Sequence, residues 1–502
     1  MKKSFGWRPA LLVVVSSAFL LTACKDPQVD PSSPGTGNAT ATAANPYDRN
    51  FQGTVADANL NRWILDSMQV YYYWNDKLPD ASTLNFNQSP NQFFRSLLYS
   101  YDRQTRPDGD RFSFMYDNAQ DLKNSLSGIA RTTGMEFRLN IYPSGTNVIG
   151  RVLYVLPNSP AARAGVKRGD IFNKVDGQQL STTNYQTLLD VSQNIDTRTY
   201  TFVTATNGQL SATGQDKRIQ AIQLAEDPVL LDTTFTIGSK KIGYLVYNQF
   251  ITGPGGPSDR TYDQKIDNAF ARFKGAGINE LVVDLRYNPG GYVSSALNLA
   301  SLIGKGVDNS KVFYRQEYNK LIMDQFNRAG QAGGLSSRFA NKSQNIGANL
   351  QRVFVLTSDA TASASELLIN GLKPYMDVQV VGDTTVGKNV GSITIEDRYA
   401  ARKVQLGLQP IVTKSFNSLG QSDYSGGFAP NSVVFETNLV LPQLGDIANE
   451  PLLRTAIGRI TGTANGRLGV GTQRDIPAVG SSLDRKAAGG NMFFDAPKGL
   501  FK

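Results

Sequence analysis

Apolar residues Leu60, Trp63, Ile64, Met68, Tyr71 and Trp74 recur at helical spacing. They predict a helix with one buried face, ended by Pro79. The aromatic run Tyr71-Tyr72-Tyr73-Trp74 reads as the core of a small helical unit rather than a ligand surface. A second helical stretch runs from Asn91 to Tyr101. From about Ser127 the pattern shifts to short strands and turns. Val148 to Val155 alternates roughly as a strand. Pro160 sits in the first turn of a short helix that Gly165 ends, and Asp176-Gly177 is a hairpin signal.

From Lys240 the pattern changes again. Lys241 to Tyr247 is a strand and Tyr262 to Lys274 a helix. Leu281-Val282-Val283-Asp284-Leu285 is the apolar run of a strand buried on both faces. Val353–Leu356 and Val378–Val381 repeat it, and helices alternate with them. The last helix runs from Pro451 to Ile460. Beyond it, the Gly-, Ala- and Ser-rich stretch 463–502 is expected to be a poorly ordered tail. At the other end, residues 24–46 are rich in Pro, Ser, Thr, Gly and Ala and cannot bury a core, so they form a flexible tether. The division is therefore a helical N-terminal domain over 47–120, a small β domain over 125–205, and an α/β domain over 206–462.

Composition narrows the chemistry. The chain has 502 residues and no histidine. That excludes a Ser-His-Asp triad, a Cys-His pair and any histidine-ligated metal. No metal and no cofactor are expected. The net charge of +9 includes Lys2, Lys3 and Arg8 of a leader; without them, 48 basic residues face 42 acidic ones. An excess of +6 on so long a chain reads as a solvated surface, and no nucleic-acid partner is expected.

Cys24 is the only cysteine. It follows a positive n-region and the short apolar run Ala10 to Leu21, so residues 1–23 read as a signal peptide. Leu21-Thr22-Ala23-Cys24 resembles the bacterial lipobox. The resemblance implies cleavage before Cys24, a lipidated thiol and a membrane partner through that anchor, in the bacterial cell envelope. An ordinary signal peptide with a chance cysteine is the blander alternative.

Three segments carry candidate chemistry. Asp284-Leu285-Arg286-Tyr287-Asn288-Pro289-Gly290-Gly291 follows a buried strand and precedes a helix near Val293. Its glycines allow close backbone approach, with N–H groups exposed at a helix start. Thr361-Ala362-Ser363-Ala364-Ser365-Glu366 places a serine on a tight turn before a helix, where it serves as a nucleophile or simply as an N-cap. Gly382-Asp383-Thr384-Thr385-Val386-Gly387-Lys388 places a lysine on a glycine-rich loop, 25 residues after Ser363.

Together these segments resemble the C-terminal processing (tail-specific) peptidases, the PDZ-containing S41 serine peptidases related to the tricorn core. The helical region ahead of the β domain looks most like the lipoprotein branch. The resemblance implies a multidomain α/β protein: a small N-terminal helical domain, a PDZ-like β domain and a ClpP/crotonase-like serine peptidase domain. It makes Ser363 the nucleophile, Lys388 the general base, and Gly290 or Gly291 with Ala364 the oxyanion-hole amides. The loop Gly134-Met135-Glu136-Phe137 would bind the C-terminal carboxylate of a protein or peptide substrate, which adds as a strand.

A lysine base must be neutral, which needs a drop of roughly three units from about 10.4, or about 4 kcal/mol. Desolvation can supply it. The family's third residue is an Asp eleven after the serine or a Gln four after the lysine. Here those positions are Pro374 and Ser392; Ser392 is the first candidate to hold Lys388 and Asp377 a weaker one. The alternative to a peptidase is a non-catalytic peptide-binding lipoprotein that retains the fold. Glycan hydrolysis by paired carboxylates has no motif support.

Overall fold

The computed structural model describes residues 57–189, 196–397, 404–463, 476–486 and 492–494. The leader, the tether and Cys24 lie outside these residues. Among the described residues, no helix is long and apolar enough to cross a membrane.

The N-terminal region forms helices Asp57–Tyr71 and Pro90–Leu97. Trp63, Ile64 and Met68 are buried and Leu60 and Tyr71 half-buried on the first helix, as the helical spacing requires; the helix ends at Tyr71, short of Trp74, and Tyr72 and Trp74 are buried beyond it, in one continuous core with the α/β domain. The second helix stops at Leu97, where Leu98 turns to extended backbone. Asn319 ties the units together by donating to the carbonyls of Val70 and Tyr72, each at 2.9 Å.

The β domain is built on a sheet ordered Met135–Ile141, Val148–Val155, Ile171–Val175, Thr197–Thr206 and Gln209–Gln220. Its last strand ends at Gln220, beyond the expected boundary at 205. Ser159 caps the helix Pro160–Arg163 by accepting from Ala162 N–H. Asp176 (φ 50°) and Gly177 (φ 78°) turn the hairpin, both in the left-handed region that such a turn demands.

The α/β domain is centred on a six-stranded sheet ordered Val229–Ile237, Lys240–Tyr247, Glu280–Asp284, Arg352–Thr357, Asp377–Gly382 and Ser432–Val433. The first pair is antiparallel and the rest parallel. Helices Thr261–Ala276, Val293–Ile303 and Ala364–Leu372 pack in the large core on one side. Helix Pro451–Thr461 packs in a second cluster. A second six-stranded sheet runs Gly291–Tyr292, Met492–Phe493, Val390–Ser392, Ile411–Asn417, Val312–Tyr318 and Ser336–Arg338.

The stretch after 463 departs from its expectation wherever it is described. Ala478–Ser481 joins the β-domain sheet as a strand beside Met135–Ile141, and Met492–Phe493 joins the second sheet of the α/β domain. The reason is local: Val479 and the Met492-Phe493-Phe494 triplet are apolar anchors in an otherwise small-residue sequence, and Met492, Phe493 and Phe494 are all buried.

Candidate active site

The three chemistry-bearing segments leave the carboxyl ends of three neighbouring parallel strands, which end at Asp284, Thr357 and Gly382. Such ends are where an open α/β sheet gathers a site. Hydrogen bonds lace the segments together. Ala362 N–H and Ser365 Oγ donate to Asn288 O at 3.2 and 3.0 Å, and Val386 N–H donates to Thr361 O at 3.0 Å.

Ser363 sits just before helix Ala364–Leu372 with φ 66° and ψ −114°. This is the first central position of a type II′ turn, which glycine usually fills. A non-glycine residue held there carries strain of the kind found at functional turns. The residue is fully buried, and its Oγ has no hydrogen-bond partner. Ala364 follows at the first helical position, where no intrahelical carbonyl accepts its N–H.

Lys388 is also fully buried, with Nζ 4.5 Å from the centroid of the Phe112 ring. Burial drives its pKa well below the ordinary lysine value; Asp110 and Glu366 pull the other way, and Arg111 adds to the fall. Asp110, Arg111 and Phe112 belong to the N-terminal region. Arg111 Nη2 donates to the carbonyls of Gly387 at 2.9 Å and Ser425 at 3.1 Å. A loop of the helical region thus roofs the lysine. Nothing in the local sequence of 110–112 announces that role, because the contact spans 276 residues.

Glu366 is the other residue without a predicted role. Its side chain is fully buried and accepts from four donors: Ser363 N–H at 2.7 Å, Lys388 N–H at 2.8 Å, Gly387 N–H at 2.6 Å and Thr385 Oγ1 at 2.5 Å. One oxygen, Oε2, holds both Ser363 N–H and Lys388 N–H. The two nitrogens are therefore no further apart than the sum of those lengths. Burial raises the Glu366 pKa while the donors oppose the rise. The Ser-x-x-Glu spacing of a capping box was the available signal.

The other predicted residues fall as follows. Gly290 N–H donates to Asn288 Oδ1 at 2.9 Å, so that amide is committed to its own turn. Gly291 has φ 134°, and a Cβ there would lie 2.1 Å from Phe250 O; only glycine fits. Ser392 does not hold the lysine. Its hydroxyl donates to Met492 O at 3.2 Å and accepts from Gln409 Nε2 at 3.0 Å, because its strand pairs with Met492–Phe493. Asp377 is exposed and its carboxylate accepts from Gln379.

In the β-domain loop, Gly134 N–H and Met135 N–H donate to Thr132 Oγ1 and Thr133 Oγ1 at 3.0 and 3.3 Å. Phe137 N–H donates to Ser482 Oγ at 2.8 Å, and that hydroxyl in turn donates to the Glu136 carboxylate. The β domain also reaches the glycine-bearing segment. Arg168 Nη1 donates to Tyr287 Oη at 2.7 Å and its Nη2 pairs with Glu436 at 2.5 Å; Tyr287 Oη donates to Glu436 at 2.6 Å. Arg286 lies buried among Asp284 (2.7 Å), Glu436 (3.0 Å) and Glu450 (2.5 Å). Burial alone would lower the Arg286 pKa, but these carboxylates hold it well above the ordinary value.

Comparison with known proteins agrees with this layout. Residues 241–431 match the model of peptidase family S41, residues 59–114 that of the peptidase S41 N-terminal domain, and residues 151–198 that of a PDZ domain. A protein described as a CtpA-like serine protease from Staphylococcus aureus (strain N315) is 26% identical over 241 residues, covering 48% of this chain and 42% of the relative. The carboxyl-terminal-processing peptidase 3, chloroplastic, of Arabidopsis thaliana is 24% identical over 296 residues, covering 57% and 51%. The chain thus spans about half the length of these curated relatives. A crystal structure of an S41 protease from Bacteroides fragilis NCTC 9343 shares the fold, with a TM-score of 0.65 at 24% identity over 80% of this chain and 97% of that one. The chain thus carries, in order, a peptidase S41 N-terminal domain, a PDZ domain and an S41 peptidase domain.

Proposed function

We propose that this chain is a serine endopeptidase of exported proteins that works with the pair Ser363 and Lys388. What supports the reading is that Glu366 Oε2 accepts from the backbone N–H of both a fully buried Ser363 and a fully buried lysine whose pKa burial depresses. A neutral Lys388 takes the proton from Ser363 Oγ. The alkoxide attacks the scissile carbonyl, the amine leaves carrying a proton from Lys388, and water releases the acyl-enzyme. Ala364 N–H and Gly291 N–H are the candidate oxyanion donors, since Gly290 N–H serves Asn288. Glu366 holds the serine turn and the lysine loop in register, in the place the family's usual third residue would have. The PDZ domain binds substrate tails in its groove, and a lipid on Cys24 holds the protein in the cell envelope.

The test is cleavage of tailed protein substrates by the wild-type chain and by Ser363→Ala and Lys388→Ala. Each substitution is expected to lower kcat by roughly 10^4-fold or more. Wild-type turnover in both variants would remove the assignment. Incorporation of labelled lipid that is lost in Cys24→Ala tests the anchor.

A further inference from the structure

The two described pieces of the stretch after 463 lie in two places where a peptide would be expected. Ala478–Ser481 runs antiparallel to Met135–Ile141, with Ala478 opposite Asn140, Gly480 opposite Leu139 and Ser481 opposite Arg138. Its direction carries it toward the loop Gly134–Phe137. Val479 packs against the PDZ core, and Tyr185 Oη donates to Val479 O at 2.9 Å. Ile141 N–H donates to Pro477 O at 2.9 Å. At the end of the groove, Ser482 Oγ takes the Phe137 N–H that a terminal carboxylate would otherwise receive. The added strand, the apolar side chain in the groove and the acceptor at the loop are the elements of peptide capture by strand addition.

Ten residues on, Met492–Phe493 lies between the strand Gly291–Tyr292 and the strand Val390–Ser392. One neighbour carries the candidate oxyanion glycine, and the other begins two residues after Lys388. Phe494 N–H donates to Ser392 O at 3.1 Å. The Phe494 ring lies over Gly391, where a Cβ would come within 1.9 Å of it. Lys486, between the two strands, bonds Glu226 at 2.5 Å and Tyr154 Oη at 2.9 Å and lies 3.6 Å from Glu136. It neutralises the carboxylate that stands beside the groove's end.

We infer that residues 476–486 and 492–494 are a built-in peptide ligand, which fills the PDZ groove and the strand position beside the catalytic segments at once. A substrate in trans enters by displacing it. The competing ligand has the same chemistry: an extended segment with a small aliphatic side chain and small polar neighbours for the groove, and Met or Phe residues for the strand position. The inference rests on the proposed function only in taking the groove and the strand position as substrate sites.

Binding is measured in the Ser363→Ala background, so that it is read without turnover. The probe is a fluorescent peptide of residues 476–494, followed by anisotropy. It is added to the full chain, to the chain ended at Thr463, and to a full-length Val479→Asp/Ser482→Ala variant. The probe is expected to bind the ended and substituted proteins about tenfold or more tightly than the full chain, since a filled site reduces apparent affinity by its occupancy. If the ended chain does not melt cooperatively, the substituted variant decides. Equal affinity for the full and substituted chains would overturn the inference, as would no binding to a cooperatively melting substituted chain. Loss of catalysis in Ser363→Ala speaks to the proposed function alone.

Discussion

Two lysines of this molecule lie away from solvent and have been pushed in opposite directions. Lys388 has the Phe112 ring over its ammonium, and burial outweighs the attraction of Asp110 and Glu366, so its pKa falls well below the ordinary value. For Lys486 burial is again the largest single influence, but Glu136, Glu226 and Tyr154 together overcome it and hold the pKa well above that value. The difference lies in the partners. Where neighbouring carboxylates outweigh burial, as at Lys486, the ammonium stays a cation and works as a staple; where burial outweighs them, as at Lys388, the amine is drawn toward its neutral form.

The largest effect that could break this comparison is exchange to arginine, which keeps a cation and cannot give up its proton near neutral pH. Lys388→Arg is expected to lower kcat by about 10^4-fold, the upper end of what general base catalysis supplies. Lys486→Arg should leave kcat within a few fold, checked in the same cleavage assay. Equal losses would mean that the two lysines do not differ in the way described.

Next comes Arg286, the buried cation with the most complete set of partners. Arg286→Ala leaves Asp284 and Glu450 buried without their cation and is expected to cost roughly 3 to 5 kcal/mol in urea unfolding. Because Glu436 is shared with Arg168, the same variant should loosen PDZ docking, seen as faster amide exchange around Tyr287.

The third prediction concerns pH. For Lys388 the unfolded chain binds the extra proton between the lowered folded pKa and about 10.4, so stability rises with pH across that window. Lys388→Met should therefore stabilise the fold, by roughly 1 to 3 kcal/mol at pH 7. The gain shrinks as pH nears 10. For Lys486 the folded pKa is raised, so its contribution is fully present below about 10.4 and is lost only above it. Lys486→Met should destabilise by a similar amount, evenly from pH 6 to 9. Thermal melts of both variants across that range check the contrast.

The smallest effect sharpens the role of Glu366. Its charge raises the Lys388 pKa, and its acceptors serve four donors. Glu366→Gln is expected to lower kcat about tenfold. It should also move the rising limb of the pH–activity profile to lower pH. A purely structural role would lower activity without moving that limb.

What the sequence disclosed follows the range of the interactions. The strands ending at Asp284, Thr357 and Gly382 were legible because each is a short buried apolar run followed by its own turn and helix. Ser363 and Lys388 sit on those turns and were singled out there as candidates only by the resemblance that the three segments carry together, with 25 residues between the pair. Glu366 carried a local signal in its spacing from Ser363, and only its reach to Lys388 was hidden. The roof of Asp110 to Phe112 was not legible, since it depends on a contact across the chain. The strand Ala478–Ser481 was obscured by small residues that take whichever conformation a neighbouring edge imposes. Met492-Phe493-Phe494 was a visible anomaly, an apolar triplet amid glycine and alanine.

The backbone at Ser363 has one more consequence. With φ 66° and ψ −114°, the position favours a residue with no side chain. Ser363→Gly is therefore the change that folding alone would welcome, and it would erase the hydroxyl. A population selected only for thermal robustness should drift toward that substitution and yield a sturdier, inert protein. A serine held there against the chain's own conformational preference is what the proposed role as nucleophile would require, a trade-off between durability and turnover.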